Sequence, residues 1–411
     1  MQGGRRGTAI VADHPRHAEP RSRVLWGRAF RPFFLLAGTE AVVVVGLWLG
    51  MLRGLGPVAS WATPFQWHAH EMLFGFAGAA IAGFLLTSVP VWTGRPATVG
   101  GRLAAFAALW GVGRLAVFFA AALPSPWIVA AIDVSFCALL AVAIGSAIYG
   151  SGSRRNYAFP ALLGVLALAN LLTHLGAMGA WPGVAPAGLR LGVGVVVVLV
   201  STLGGRLIPL FTDAALKRSG VARAVSRVVW ADRAAGPLLA AFFLADTAWP
   251  DSPLCGALAL AAAATLCLRA KGWGLRDALR DPLLWSMHVA YLWIPVGLVV
   301  LAATAFSDLV TRSLALHALT VGAIGGMILA IMTRVALGHT GRPFRAPRGI
   351  ALAYGLVLAA ALARTLLPAL LPAATNAMLL ASGALWIVAF AIFLAIYTPF
   401  LMAPRVDGKP G

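Results

Sequence analysis

Charge is what this chain lacks most. Only 11% of its 411 residues are charged and only 13 are Asp or Glu, against about 25% charged residues in a soluble domain, so a solvated globular surface is excluded. Cysteine is almost absent: Cys137, Cys255 and Cys267 are the three present, at spacings that match no metal motif. That rules out a disulfide framework, a zinc ribbon or an iron–sulfur cluster, and reduced thiols inside helices are expected. Long polar segments are missing as well. No gap between apolar runs can house a soluble domain, so any chemistry has to sit between helices or at their ends.

What remains is apolar, at 60% hydrophobic residues. Runs of about 20 residues, enough to cross ~30 Å of hydrocarbon as helix, recur with short gaps. The expected fold is an all-α membrane protein of twelve transmembrane helices near 33–53, 70–91, 102–122, 126–149, 159–180, 189–209, 234–249, 253–269, 282–303, 313–337, 350–370 and 376–401. The net charge of +19 is a topology signal, because 27 of the 32 Lys and Arg fall at alternate ends of these runs. Both termini are therefore expected in the cytoplasm, and a contiguous nucleic-acid-binding face is not expected. Arg53, Arg114, Arg190, Arg312 and Arg364 are the exceptions. Residues 1–27 are expected to be a disordered basic tail, since the apolar run after Arg5 and Arg6 is stopped by Asp13 and His14 and is too short for a signal peptide. One transmembrane domain over 28–403 and a tail over 404–411 follow.

Two segments match each other. The interval from His70 to Pro96 equals that from His317 to Pro343, both end in Thr-Gly-Arg-Pro, and Gly75/Gly322, Gly78/Gly325 and Thr93/Thr340 align without a gap. Helix six, ending Gly204-Gly205-Arg206-Leu207-Ile208-Pro209-Leu210-Phe211-Thr212, is a weaker third copy, with Thr212 over Thr93 and Arg206 over Arg334. Copies on helices two, six and ten predict three four-helix repeat units about an axis normal to the membrane.

The polar residues within this apolar background are candidates for function. His68, His70 and Glu71 gather at the entrance of helix two, where the alternative is a helix-capping histidine paired with Glu71. His68 and His70 are about 200° apart on an ideal helix, so they can share an ion only if His68 lies in the loop. Asn170 and His174 share one face of helix five. Arg114 and Asp133 lie at matched depth on antiparallel neighbours and predict a buried ion pair, and Glu40 is expected to face the bundle interior. His288 and His339 are expected as hydrogen-bonded or interfacial histidines at the other end.

Taken together, the segments FRPFFLLAG, WHAHEMLFGF, AGFLLTSVPVWTGRP, GGRLIPLFT and HALTVGAIGGMILAIMTRVALGHTGRP resemble the NnrS family over nearly the whole chain. That resemblance implies a multi-pass bacterial inner-membrane protein containing haem and copper and linked to nitric oxide metabolism, nitrosative stress and denitrification. The helix count also resembles the haem-copper oxidase catalytic subunit, whose helices two and ten supply axial haem ligands. Residues 189–249 hold no histidine, which argues against the second metal centre of those enzymes. The resulting expectation is one haem b between His70 and His317, with Gly75, Gly78, Gly322 and Gly325 letting a flat cofactor approach the backbone. Copper is expected at His68 and His174 with Glu71 orienting an imidazole. Nitric oxide is the expected small-molecule ligand and the lipid bilayer the surrounding partner. A transporter, or a metal-handling or assembly protein for respiratory haem-copper enzymes, is the alternative.

Overall fold

The computed structural model describes residues 24–55, 59–221, 225–307 and 310–409, so most of the expected N-terminal tail lies outside the described residues. The described chain is all-helical, without a strand. Twelve long helices follow one another: α1 (Phe30–Leu52), α2 (Pro64–Thr93), α3 (Gly100–Phe118), α4 (Pro126–Gly150), α5 (Ala158–Ala177) and α6 (Ala185–Arg218). Then come α7 (Val229–Ala248), α8 (Pro253–Ala270), α9 (Pro282–Thr304), α10 (Arg312–His339), α11 (Ile350–Arg364) and α12 (Thr375–Met402).

Eleven helices are long and apolar enough to cross a membrane, which makes the chain a multi-pass membrane protein; α7 is not among them. Over 20 residues α7 carries Asp232, Arg233 and Asp246. Two of these are partnered inside the bundle, Asp232 by Arg269 at 2.7 Å and by Arg227 at 2.9 Å, and Asp246 by Arg312. Pairing is what allows a polar helix to pack among apolar ones.

Local sequence explains the helix ends. Thr63, Ser125, Ser252 and Asp281 each accept a bond from the first turn of the helix that follows, and each is followed directly by Pro at the first helical position. At α2 the cap is a full capping box between Thr63 and Gln66. The helix therefore begins before His68, correcting the expected start near residue 70. Helix six was expected to end at Pro209 but continues to Arg218. Pro209 has no N–H for the Gly205 carbonyl, and Arg227 Nη2 donates to that carbonyl instead at 3.1 Å.

The repeat reappears in the backbone. Each histidine of the matched pair is followed at once by a π-helical turn, Glu71–Ala77 after His70 and Ala318–Gly325 after His317. At the other end Thr93, Thr212 and Thr340 each donate to the carbonyl four residues back, at 2.7, 2.8 and 2.6 Å. Gly94 and Gly341, with φ of 67° and 74°, stop the two best-matched copies in the left-handed region that favours glycine. The first and last helices are neighbours: Trp386 Nε1 donates to the Ala41 carbonyl at 3.0 Å, and Arg31 Nη1 donates to those of Leu401 and Ala403, each at 2.7 Å.

Candidate functional site

Helix α2 presents its two histidines to opposite sides. Both lie in regular helix, Pro64–His70, so the two-residue interval turns them about 200° apart. His70 faces α3, α4 and α5, whereas His68 faces a cavity on the other side.

On the first side His70 is fully buried with Glu71, Asp133, Asn170 and His174. Its Nδ1 lies 2.9 Å from Glu71 Oε1. Its Nε2 lies 2.9 Å from Asn170 Oδ1 and 3.1 Å from Asp133 Oδ2. The Asn170 amide is oriented by its own Nδ2, which donates to Asp133 Oδ2 at 2.8 Å. His70 Nε2 thus meets acceptors alone, and only a cation between them, a proton or a metal ion, reconciles the contacts. His174 Nε2 reaches the same Asp133 Oδ2 at 3.0 Å, while its Nδ1 accepts from the Trp61 indole N–H at 2.9 Å. Ligand atoms of His70, Asp133 and His174 all lie within 4.8 Å of one another.

The expected ion pair of Arg114 and Asp133 is present, and the same guanidinium donates to Glu71 Oε1 at 2.9 Å. Glu40 faces inward as expected, with Oε1 buried and without a partner. A Cβ at Gly75 would come within 2.7 Å of that oxygen and 3.2 Å of Arg114. Three carboxyl groups therefore surround one arginine, so the cluster has more acid than its own cation neutralises. It accommodates added positive charge.

On the second side α1, α2, α6, α10, α11 and α12 enclose a cavity of about 420 Å³, within the range of small-molecule and cofactor sites. Its walls are mainly apolar, from Val45, Met72, Phe76, Val193, Ile324 and Trp386, and both His68 and His317 line it. His317 Nδ1 lies 2.6 Å from the Ser313 carbonyl; only a donor fits there, so the lone pair of this ring is on Nε2. His68 stacks on Trp48 with ring centroids 4.7 Å apart, and its Nδ1 is buried without a partner. Arg190, Arg312 and Arg364 also line the cavity. These are three of the five arginines that fall outside the alternating charge pattern. Arg364 Nη2 donates to Ser313 Oγ at 3.0 Å, Arg312 pairs with Asp246 and Asp251, and Arg190 keeps a buried Nε without a partner.

The family model described as NnrS protein matches residues 24–405. The chain belongs to the NnrS family. Membership supports a nitric-oxide-related membrane protein. Comparison with curated proteins finds no match.

In this NnrS chain, the two histidines expected to share a haem are not brought together. His70 is enclosed by the carboxylate cluster, while His317 shares its cavity with His68. The residues expected around copper divide in the same way: Glu71 does sit against an imidazole, that of His70, and His174 joins them through Asp133, but His68 lies on the other face of α2. The glycines of the π-turns give way to side chains of the protein. A Cβ at Gly322 would meet the Trp293 ring at 2.5 Å, and one at Gly325 would collide with Trp386.

Asp133 is the shared acceptor and candidate ligand that sequence reasoning missed. Reading it as the partner of Arg114 was correct, but a carboxylate has a second oxygen. Here Oδ1 serves Arg114 and Oδ2 serves His174 and Asn170. The signal available was the presence of Asn170 and His174 on the helix that follows Asp133. His288 and His339 stay apart from both sites, the first hydrogen-bonded to Thr212 at 3.0 Å and the second packed on Phe30 with centroids 5.4 Å apart.

Proposed function

We propose that this chain binds haem b in the cavity shared by His68 and His317 and serves nitric oxide metabolism or protection against nitrosative stress at the bacterial inner membrane, with both termini cytoplasmic. The observation that carries this reading is the tautomer of His317. With Nδ1 donating to the Ser313 carbonyl, Nε2 is left as a ligand atom facing an apolar cavity, the arrangement in which an outer hydrogen bond fixes a ligating imidazole. His68, stacked on Trp48 and with an unpartnered nitrogen, is the second imidazole of the same cavity. Arg190 and Arg364 supply cations for carboxylate substituents of a flat apolar ligand, and Arg364 also steadies Ser313 and, through it, His317. A haem held by His68 and His317 would supply one-electron transfer, with the apolar walls of the cavity tuning its potential.

Copper fits the other side of α2. Two imidazoles and a carboxylate converge there, Glu71 holds Nδ1–H of His70 so that Nε2 can ligate, and the surplus of carboxyl groups favours a cation. At His174 the ion competes with a proton, because Trp61 occupies Nδ1 and leaves the N–H on Nε2 toward Asp133.

Absorption spectra of the purified protein, with and without dithionite and nitric oxide, test the reading alongside metal analysis. His68→Ala and His317→Ala should each abolish a low-spin haem spectrum, whereas His70→Ala and His174→Ala should retain it and lose copper. If His70→Ala and His317→Ala abolish the spectrum and His68→Ala keeps it, the haem belongs to the repeat-equivalent pair instead. A second reading, metal handling without haem, draws on the buried His70–Asp133–His174 cluster. Tight copper or zinc binding in a protein without a haem spectrum would favour it.

A further inference from the structure

The end of the bundle opposite His68, His70, His174 and His317 holds a cation with no ion-pair partner among the described residues. Arg334, near the close of α10, is 3% exposed. Its guanidinium carbon lies 4.0 Å from the centroid of the Phe211 ring on α6 and 4.8 Å from that of Phe344. Both rings are within cation–π distance, and Nε and Nη1 are buried without any hydrogen-bond partner. A buried unpaired guanidinium is costly, and cation–π contacts offset only part of that cost.

No carboxylate forms an ion pair with it among the described residues. The acid whose charge reaches it is Asp281, which caps α9 by accepting from the Leu283 N–H at 2.9 Å. A second cation approaches instead: Arg218, exposed at the end of α6, lies 5.9 Å from the centroid of the same Phe344 ring. Two like charges held around one ring without an acid between them call for an anion.

The repeat supplies an internal comparison. Arg206, the equivalent of Arg334 in the third copy, also lies over a ring, Phe159 at 5.3 Å, but its nitrogens are satisfied by Asn156 Oδ1 at 2.8 Å and the Arg155 carbonyl at 2.9 Å. At Arg334, Nε and Nη1 have no such acceptor among the described residues. On the positive-inside reading this end faces the cytoplasm, where anionic headgroups and free phosphate are both present.

We infer that Arg334 and Arg218, bracketing Phe344, bind an oxyanion of the phosphate class, carried by an anionic lipid headgroup or present as free phosphate. The oxyanion accepts from the unpartnered N–H groups of Arg334 and neutralises both guanidiniums.

The test uses full-length protein in detergent, with native mass spectrometry reading retention of dioleoylphosphatidylglycerol against dioleoylphosphatidylcholine, and thermal melting reading the response to inorganic phosphate. Wild type should retain the anionic lipid preferentially or be stabilised by phosphate; the first outcome identifies a headgroup and the second a free anion. Arg218→Gln, at an exposed position that leaves the fold intact, should weaken the effective probe about fivefold, the worth of one cation near a charged surface. Arg334→Lys, which keeps the charge and loses the planar fork, should weaken it roughly tenfold. Arg206→Gln should leave it unchanged. The site is refuted if wild type neither discriminates the lipids nor responds to phosphate, if Arg218→Gln and Arg334→Lys bind as wild type does, or if Arg206→Gln loses as much as Arg218→Gln, which would indicate diffuse surface attraction.

Discussion

Replacing Arg114 with Met tests whether the cluster beside α2 is held together by charge. The guanidinium donates to Glu71 and to Asp133, whose side chains are 2% and 1% exposed, and Glu40 stands nearby with a buried, unpartnered oxygen. Methionine keeps most of the volume and removes the cation, leaving two carboxylates without their counter-ion. Breaking a buried pair in this way costs about 3–5 kcal/mol, a large share of the roughly 5–15 kcal/mol that stabilises a typical fold. Thermal melting in detergent should fall by about 5 °C. The control is Arg53→Met, at an exposed arginine near the end of α1, which should stay within about 0.5 kcal/mol of wild type. Adding Asp133→Asn to Arg114→Met removes one of the stranded charges, so the double variant should be more stable than the sum of the singles, with a coupling of about 0.5–3 kcal/mol. If Arg114→Met melts with Arg53→Met, or if the two cluster substitutions simply add, the ion-pair account of this cluster is wrong.

Other predictions follow from single contacts. Trp61→Phe removes the donor that keeps the His174 proton on Nε2, so copper or zinc titrated into the purified protein should bind about two- to tenfold more tightly; unchanged or weaker binding would show that the tautomer does not matter. Gly325→Ala drives a methyl into the Trp386 ring and should lower stability by about 1–3 kcal/mol, whereas Gly78→Ala, whose Cβ would be 3.8 Å from Phe136, should be neutral or better. Equal melting of these two variants would count against the packing described for the π-turns. At the C-terminal end, Arg405 holds the Asp407 carboxyl down to about 2, and the Val406 N–H beside it donates to Thr340 at 3.1 Å. A depressed carboxyl stabilises above its unfolded pKa near 3.8 and loses that contribution as pH falls toward 2. Protection of the Val406 amide, taken relative to its intrinsic exchange rate at each pH, should therefore fall between about pH 4 and pH 2, and more weakly in Asp407→Asn; an Asp407→Asn protein with the wild-type acid profile would exclude Asp407 as the cause.

Much of the molecule was legible in its residues. The positions of eleven apolar helices follow from apolar length, whereas the twelfth expected span, α7, is a helix too polar to count as one; the meeting of Arg114 with Asp133 follows from equal depth on neighbours joined by a short turn. The match between the His70 and His317 segments returns as a π-turn, a threonine back-bond and a left-handed glycine at corresponding places. These features depend on rise per residue and local hydrogen bonding, which a one-dimensional sequence carries. The azimuth of a helix is different. On a span that is 83% buried, both faces of α2 are apolar, so no hydrophobic stripe marks the direction of either histidine. The sequence could say that His68 and His70 point apart, but only the packing of α3, α4 and α5 on one side and of α1, α10, α11 and α12 on the other decided that His70 meets Asp133 and His174 while His68 shares a cavity with His317. The second oxygen of Asp133 is a similar case. Depth matching pairs residues one to one, whereas a buried carboxylate accepts from several directions, and those directions exist only once four helices surround it.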